Sequence, residues 1–164
     1  MSRRLDPGRP CWPLDWLTTL LAGRRFRRAL SVGCGTGALE RDLVRRDLCA
    51  HVDAFDGSLA SLALARSEAR REGMADRIRY FAADFNRPAL PRATWDLILF
   101  HQSVHHVARL ERVYRDVARA LAPDGLLYLD EYVGPSRTRW SGEKLRDADE
   151  AYRVHALILL ALAA

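Results

Sequence analysis

Three glycines at alternate positions form the segment of this sequence best suited to chemistry. Gly33, Gly35 and Gly37 follow the short apolar run 29–32 and precede a predicted helix over 38–47. Glycine adopts positive φ angles at no steric cost and lets a ligand approach the backbone closely. The N-terminus of the following helix presents free N–H groups and the positive end of its dipole. The segment therefore predicts a loop that binds a nucleotide-like cofactor.

Two aspartates stand where a nucleotide would need them. Asp56 ends the next apolar segment, nineteen residues after Gly37. At this spacing a carboxylate can accept hydrogen bonds from both ribose hydroxyls, although Asp56 or Ser58 could instead cap the following helix. Asp84 ends a third segment. Its carboxylate could accept from an exocyclic amine while Phe85 packs beside a base, or it could be an ordinary loop residue.

Histidines end the fourth apolar segment. His101, His105 and His106 lie within six residues of one another. Histidine titrates near neutral pH, which suits a general base. No cysteine or acidic residue lies at metal-ligand spacing nearby, so we predict no metal site. For His105 and His106, packing and capping at the end of a strand remains an open alternative. At the end of the fifth segment, Glu131 or Tyr132 could contact a substrate.

Alternating strands and helices must position these residues. The predicted strands cover 29–32, 50–55, 77–82, 95–101 and 125–133, and the predicted helices cover 38–47, 58–72 and 110–121. This alternation indicates a parallel sheet with helices on both faces. Ligands of such sheets bind at the carboxyl ends of the strands. The glycines, aspartates and histidines described above all fall at those ends.

Composition and charge limit the classes of function. The chain has 164 residues, of which 49% are hydrophobic and 29% charged, as expected of one domain with a sizeable core. Its net charge of +5 comes from residues 1–28, because residues 29–164 carry nineteen side chains of each sign. A neutral body argues against nucleic-acid binding. Three cysteines without ligand or disulfide spacing, and no signal peptide, predict a cytoplasmic protein.

The two ends of the chain carry separate predictions. Residues 1–28 are predicted to form a basic arm with an amphipathic helix, whose apolar face includes Trp12, Trp16 and Leu17. This helix could be a lid over the site or could pack on the body, and we favour both over a membrane-surface helix. Residues 138–164 are predicted to form a tail that ends in an apolar helix over 151–164. That tail would leave the fifth strand as an exposed edge and suggests a truncated chain.

Taken together, the chain resembles the class I S-adenosylmethionine-dependent methyltransferases that act on small molecules. The resemblance covers residues 26–137 and rests on the motifs VGCGTG, FDGS, AADF, WDLILFHQSVHHV and LAPDGLLYLDEYVGPSR. It implies a Rossmann-like three-layer α/β sandwich with a mostly parallel sheet of order 3-2-1-4-5. We expect a methyltransferase core over 29–137, and the antiparallel hairpin that usually ends this fold is apparently missing.

The resemblance also implies roles for individual residues in binding S-adenosylmethionine. The glycine loop would hold the methionine end, the second strand end the ribose and the third the adenine, and the fourth strand would end near the sulfonium. The implied cofactor-binding residues are Gly33, Cys34, Gly35, Gly37, Asp56, Gly57, Ser58, Asp84, Phe85, His101 and Gln102. One residue departs from the family pattern. The family has an acidic residue two positions before the first glycine, which helps to hold the amino-acid end of the cofactor, and this chain has Ser31.

Motifs that are missing narrow the predicted reaction. The chain lacks an Asn/Asp-Pro-Pro-Tyr motif, a lysine-rich tetrad and a cysteine beside the fourth strand, which nucleic-acid methyltransferases of this class use. We therefore predict in-line methyl transfer to an oxygen, nitrogen or carbon of a small molecule. His101 or His105 would be the base, and Glu131 would contact the substrate. The alternatives are an NAD(P)-dependent oxidoreductase, because Gly33-x-Gly35-x-x-Ala38 also fits the dinucleotide fingerprint, and a non-catalytic module that binds a cofactor or a partner.

Overall fold

The computed structural model describes residues 13–21, 23–87, 89–132 and 155–161. The strands are β1 (Phe26–Val32), β2 (Cys49–Asp56), β3 (Ile78–Ala82), β4 (Trp95–His101), β5 (Leu121–Tyr132) and β6 (His155–Ala161). The helices are α1 (Pro13–Leu21), α2 (Ala38–Arg45), α3 (Leu59–Arg71) and α4 (Leu110–Ala120), and a 3₁₀ turn covers Val104–His106. Most predicted elements are therefore confirmed to within a few residues.

All six strands form one sheet in the order β3-β2-β1-β4-β5-β6, and β1 to β5 run parallel. This confirms the predicted strand order 3-2-1-4-5. Val32, at the end of β1, pairs with Phe55 of β2 and with Phe100 of β4. Farther along, His101 pairs with Asp130 of β5. The carboxyl ends of the strands therefore lie at one edge of the sheet, and this edge carries the predicted site residues.

Apolar cores cover both faces of the sheet, which confirms the three-layer sandwich. Alternate residues of each strand face opposite cores. On one face, Leu99 packs in a core with Leu43 of α2 and Leu62 of α3. On the other face, Phe100 packs in a core with Val113 of α4. The central strand β4 contributes to both cores, as the continuous apolar run in its sequence indicates.

The last strand corrects the prediction for the end of the chain. A helix over 151–164 is wrong for 155–161, because β6 pairs antiparallel with β5 from Leu126↔Ala161 to Tyr132↔His155. The apolar run has no polar face as a helix, whereas as a strand it satisfies the backbone groups along the edge of β5. β5 is therefore covered, and one antiparallel strand of the expected hairpin is present. Residues 138–154 and 162–164 of the predicted tail lie outside the described residues.

The N-terminal helix packs on the body of the domain. Leu14 and Leu17 of α1 are fully buried in the core that α2 and α3 share, whereas Leu20 is exposed. Trp12, which the sequence places on the same face, lies outside the described residues. Among the described residues, no helix has the length and apolar character needed to cross a membrane. The packing interpretation of this segment is thus confirmed for α1, and a lid role stays a prediction.

A groove of about 410 Å³ lies along the amino-terminal halves of β1, β2 and β3, away from the predicted site. Its floor is an ion-pair network centred on the buried Asp53. That carboxylate accepts hydrogen bonds from Nε of Arg28 at 2.7 Å, Nε of Arg79 at 2.8 Å and Nε1 of Trp95 at 2.8 Å. Arg28 and Arg79 are therefore already paired with Asp53. We assign this groove no part in the predicted chemistry.

Candidate cofactor site

The glycine loop has the backbone conformation that its sequence predicts. Gly33, Gly35 and Gly37 have φ angles of +78°, +51° and +76°, in the left-handed region that disfavours residues with a Cβ. The N–H groups of Gly33 and Cys34 donate to the carbonyl of Phe55 at 2.9 and 3.1 Å. The loop is therefore tied to the end of β2 before any ligand binds.

Asp56 holds the glycine loop and the start of α3 together. Its Oδ2 accepts from the N–H of Gly35 at 2.9 Å, and its Oδ1 accepts from the N–H of Ser58 at 2.8 Å. Ser58 is the N-cap of α3, and its hydroxyl accepts from the N–H of Ser61 at 3.2 Å. The capping alternative is thus confirmed for Ser58. Each carboxylate oxygen of Asp56 has a second lone pair, so ribose binding stays a prediction for this residue.

Phe85 forms an apolar wall beside the glycine loop. A Cβ atom at Gly33 would lie 2.6 Å from Phe85 Cε1, so the ring and the loop backbone are in close contact. The Phe85 ring also packs against Phe55, with centroids 5.9 Å apart, and against His106, at 6.0 Å. The neighbouring Asp84 is exposed, and its Oδ1 accepts from the N–H of Asn86 at 2.8 Å. An adenine site at these residues stays a prediction.

His101 is held by a carboxylate that the sequence did not single out. Its Nδ1 lies 2.6 Å from Oδ2 of Asp130, which is 1% exposed. Next to it, Gln102 has a φ of +52° and donates its backbone N–H to the carbonyl of Asp130 at 2.8 Å. A carboxylate at Nδ1 fixes the orientation of the imidazole. This arrangement suits a base that must accept a proton.

His105 forms a second pair, with Glu131. Nδ1 of His105 lies 2.9 Å from Oε1 of Glu131, and Oε2 accepts from the N–H of Val104 at 2.8 Å. Glu131 therefore holds the 3₁₀ turn. Because side chains alternate along a strand, Glu131 and Asp130 face opposite sides of β5. The structure thus places the two histidine–carboxylate pairs on opposite faces of the sheet, and the His105 side chain is 53% exposed.

A cavity of about 100 Å³ lies beside the glycine loop, at the end of β1 and under the first turn of α2. The cavity is lined by predicted site residues and by two residues that were not predicted to belong to the site, Ser31 and Glu40. The residues that line it are Ser31, Gly33, Cys34, Thr36, Ala38, Leu39, Glu40 and His101. A sequence signal for Glu40 existed, since position 40 shares a helix face with the buried Leu43 and Val44.

Burial controls the electrostatics of this cavity. Glu40 is 0% exposed, and burial raises the pKa of its carboxyl group to about 6. The Ser31 hydroxyl partly offsets this shift in pKa by favouring the carboxylate, although its geometry falls short of a regular hydrogen bond. Burial also raises the pKa of the Cys34 thiol. Cys34 therefore stays neutral, and Glu40 is the acidic group of the cavity.

The buried carboxyl group predicts a pH-dependent cost to stability. Glu40 has a higher pKa in the folded chain than its usual 4.5, so its contribution to stability is complete below pH 4.5 and is lost as the pH rises through 6. In the absence of cofactor, we expect the unfolding free energy of Glu40→Gln to rise relative to that of the wild type as the pH increases. The difference between the two proteins should grow by about 2 kcal/mol from pH 4.5 to pH 7.5. Urea unfolding at both pH values measures this gain, and a difference that does not change with pH would contradict it.

Comparison with known proteins gives the family. Residues 30–129 match the family described as a methyltransferase domain. The chain belongs to this family. The match agrees with the predicted class I S-adenosylmethionine-dependent methyltransferases, whose cofactor is S-adenosylmethionine. It favours this class over the NAD(P)-dependent alternative.

Relatives share the core and differ in what they act on. A sterol 24-C-methyltransferase of Gibberella zeae is 28% identical over 65% of this chain and 28% of its own length. A malonyl-[acyl-carrier protein] O-methyltransferase of Enterobacter lignolyticus is 36% identical over 69% of this chain and 42% of its own length. A putative methyltransferase structure from Methanococcus maripaludis superimposes with a TM-score of 0.72 at 16% identity, covering 93% of this chain and 85% of that one. The chain spans less than half the length of these two curated relatives.

The residues present fit S-adenosylmethionine. The glycine loop leaves its backbone open to a ligand, and Asp56 keeps acceptor capacity at the end of β2. Among the described residues, the buried Glu40 carboxyl has no regular hydrogen-bond partner and lines the cavity beside that loop. A group with both hydroxyl and ammonium donors suits this set of acceptors.

Proposed function

We propose that this chain binds S-adenosylmethionine at the carboxyl edge of its sheet and transfers the methyl group to a small molecule. The observation that carries the proposal is the glycine loop, which hydrogen bonds to β2 and Asp56 fix in place. The loop lies beside a cavity that His101 helps to line. In this proposal the loop binds the methionine end of the cofactor. Asp56, with Gly57 and Ser58, binds the ribose, and Asp84 with Phe85 binds the adenine.

The chain's own contribution to the reaction is position and proton transfer. When bound, the cofactor supplies a methyl group that is already activated by its sulfonium. Holding the acceptor in line with that methyl lowers the barrier by fixing geometry. A base must also take the proton of an oxygen or nitrogen nucleophile. We assign this role to His101, because its partner Asp130 is buried and because it lines the cavity beside the glycine loop.

The second histidine is the competing candidate for the base. His105 has a carboxylate partner in Glu131, as His101 has in Asp130. Glu131, however, also accepts the N–H of Val104 and so holds the turn after β4. His105 is exposed and on the other side of β5. We therefore assign His105 and Glu131 to contacts with the acceptor rather than to proton transfer.

Calorimetric titration tests the cofactor first. We expect S-adenosylmethionine and its demethylated product to bind, and NAD not to bind, because Asp56 and the cavity supply acceptors for ribose and ammonium groups. Binding of NAD in their place would contradict the proposal. A folded chain that binds none of the three would favour the non-catalytic alternative.

A methyl-transfer screen then tests the acceptor. Two curated relatives are named as a sterol 24-C-methyltransferase and as a malonyl-[acyl-carrier protein] O-methyltransferase. We propose a small-molecule acceptor, and the screen offers radiolabelled cofactor with sterols, phenols, carboxylates, amines and nucleic acid in parallel. Labelled product with one class identifies the nucleophile. Label transferred only to nucleic acid would overturn the proposed substrate class.

A further inference from the structure

We propose that Glu40 supplies the carboxylate that binds the ammonium group at the methionine end of the cofactor. It would do so from the first turn of α2, in place of the acidic residue that the family carries at the position of Ser31. This inference rests on the proposed function, because it assigns one contact within the same cofactor site.

The position of Glu40 is the first support. The side chain is 0% exposed, lines the cavity beside the glycine loop, and shares that cavity with Ser31 at the end of β1. A volume of about 100 Å³ is about three times the share of one water in the liquid. It therefore suits a small polar headgroup such as the amino-acid end rather than a whole nucleotide.

The lack of a partner is the second support. Among the described residues, neither carboxylate oxygen of Glu40 makes a regular hydrogen bond, and the Ser31 hydroxyl makes none either. A buried carboxylate without a well-formed hydrogen bond is costly. An ammonium group offers three donors and no acceptor. Binding of such a group would supply both the charge and the hydrogen bonds that the side chain lacks.

The surrounding charges leave room for a cationic ligand. Besides Ser31, Glu40 interacts electrostatically with Cys34, Tyr80, His101 and Arg41. Burial keeps the thiol and the phenol neutral by raising the pKa of each.

The nearby arginine is already committed elsewhere. Nε of Arg41 pairs with Glu72 at 3.0 Å, and its Nη1 donates to the carbonyl of Thr36 at 2.9 Å. A structural alternative remains for Glu40 itself, since an acidic residue in the first turn stabilises a helix through its dipole. Stabilisation of the helix would not require Glu40 to contact a ligand. Binding experiments therefore distinguish this role from ligand binding.

Two ligands and two variants form the test. S-adenosylmethionine carries the ammonium group, whereas 5′-methylthioadenosine keeps the adenosine and the sulfur but lacks the amino acid. We expect Glu40→Gln to weaken S-adenosylmethionine binding by about ten- to a hundredfold, as for the loss of a charge-assisted hydrogen bond. Binding of 5′-methylthioadenosine should not change. The matched control is Glu68→Gln, whose carboxylate pairs with Arg71 on α3, and it should bind both ligands as the wild type does.

Moving the charge back to β1 makes the test sharper. The double variant S31D/E40Q places a carboxylate at the family position and removes it from α2, and it should recover most of the lost affinity. A measurement on the wild type needs no variant. Its affinity for S-adenosylmethionine should fall as the pH drops below about 6, where Glu40 becomes protonated, whereas its affinity for 5′-methylthioadenosine should not.

The outcomes separate this inference from the proposed function. Unchanged S-adenosylmethionine binding in Glu40→Gln would overturn the inference and leave the cofactor assignment intact. Equal weakening of both ligands would also overturn it, because Glu40 would then act on the shape of the loop. A wild-type chain that binds neither ligand would overturn the proposed function and, with it, this contact.

Discussion

Replacing Gly33 by alanine is expected to lower the unfolding free energy by about 2–5 kcal/mol, the sum of a left-handed backbone and an overpacked contact. The added Cβ would lie 2.5 Å from Ser103 Cβ and 2.6 Å from Phe85 Cε1, at a φ of +78°. Ser103 has little room to move, because it is buried and its hydroxyl donates to the carbonyl of Val32 at 2.6 Å. Urea unfolding followed by circular dichroism measures the loss.

Gly35 provides a matched control in the same loop. It also has a positive φ, of +51°, but a Cβ there would meet nothing within 4 Å among the described residues. Gly35→Ala should therefore cost only the backbone strain, about 1–2 kcal/mol. Similar losses for the two variants would mean that the contact of Phe85 and Ser103 with the loop is looser than the structure indicates. The comparison thus measures how tightly the strand ends pack around the glycines.

Replacing His101 by alanine is expected to lower kcat by about 10²- to 10⁴-fold, the usual contribution of a positioned general base. The variant removes the imidazole that Asp130 orients at 2.6 Å. We expect Asp130→Asn to lower kcat in the same direction, because the amide keeps the size of the side chain and loses its charge. Initial rates of label transfer to the acceptor found in the screen measure both effects.

His105→Ala is the matched control for that prediction. The same substitution is made at the other histidine–carboxylate pair, where the side chain is exposed and its partner holds a turn. It should lower kcat much less than His101→Ala does. A large loss in kcat at His105 with none at His101 would move the role of base to the second pair.

Much of the fold follows from local patterns in the sequence. Apolar runs of strand length alternate with helical periodicity, and this alternation predicts a parallel sheet with helices on both faces. The order β3-β2-β1-β4-β5, which the resemblance to a known family implies, is confirmed by the structure. The three glycines predict a left-handed turn, and all three have positive φ angles. These features depend on neighbouring residues and on general rules for parallel sheets. Such patterns could be interpreted without knowing which side chains meet.

The end of the chain shows where local patterns fail. Residues 156–161 are all apolar, so their sequence is as compatible with a helix as with a strand. The partner decides between them, because the edge of β5 has unpaired backbone groups that β6 satisfies. That edge lies about 30 residues earlier in the chain. No periodicity within 155–161 carries this information.

The candidate site divides in the same way. The sequence by itself determined which residues end the strands, and hence that Gly33, Asp56 and His101 share one edge. Only the tertiary structure decided that Asp130 rather than Glu131 faces His101, and that Glu40 is buried with Ser31. These pairs join residues from different elements, and register and packing set the distance between them. Residue types and spacing therefore indicated the chemistry, and packing decided which carboxylates serve it.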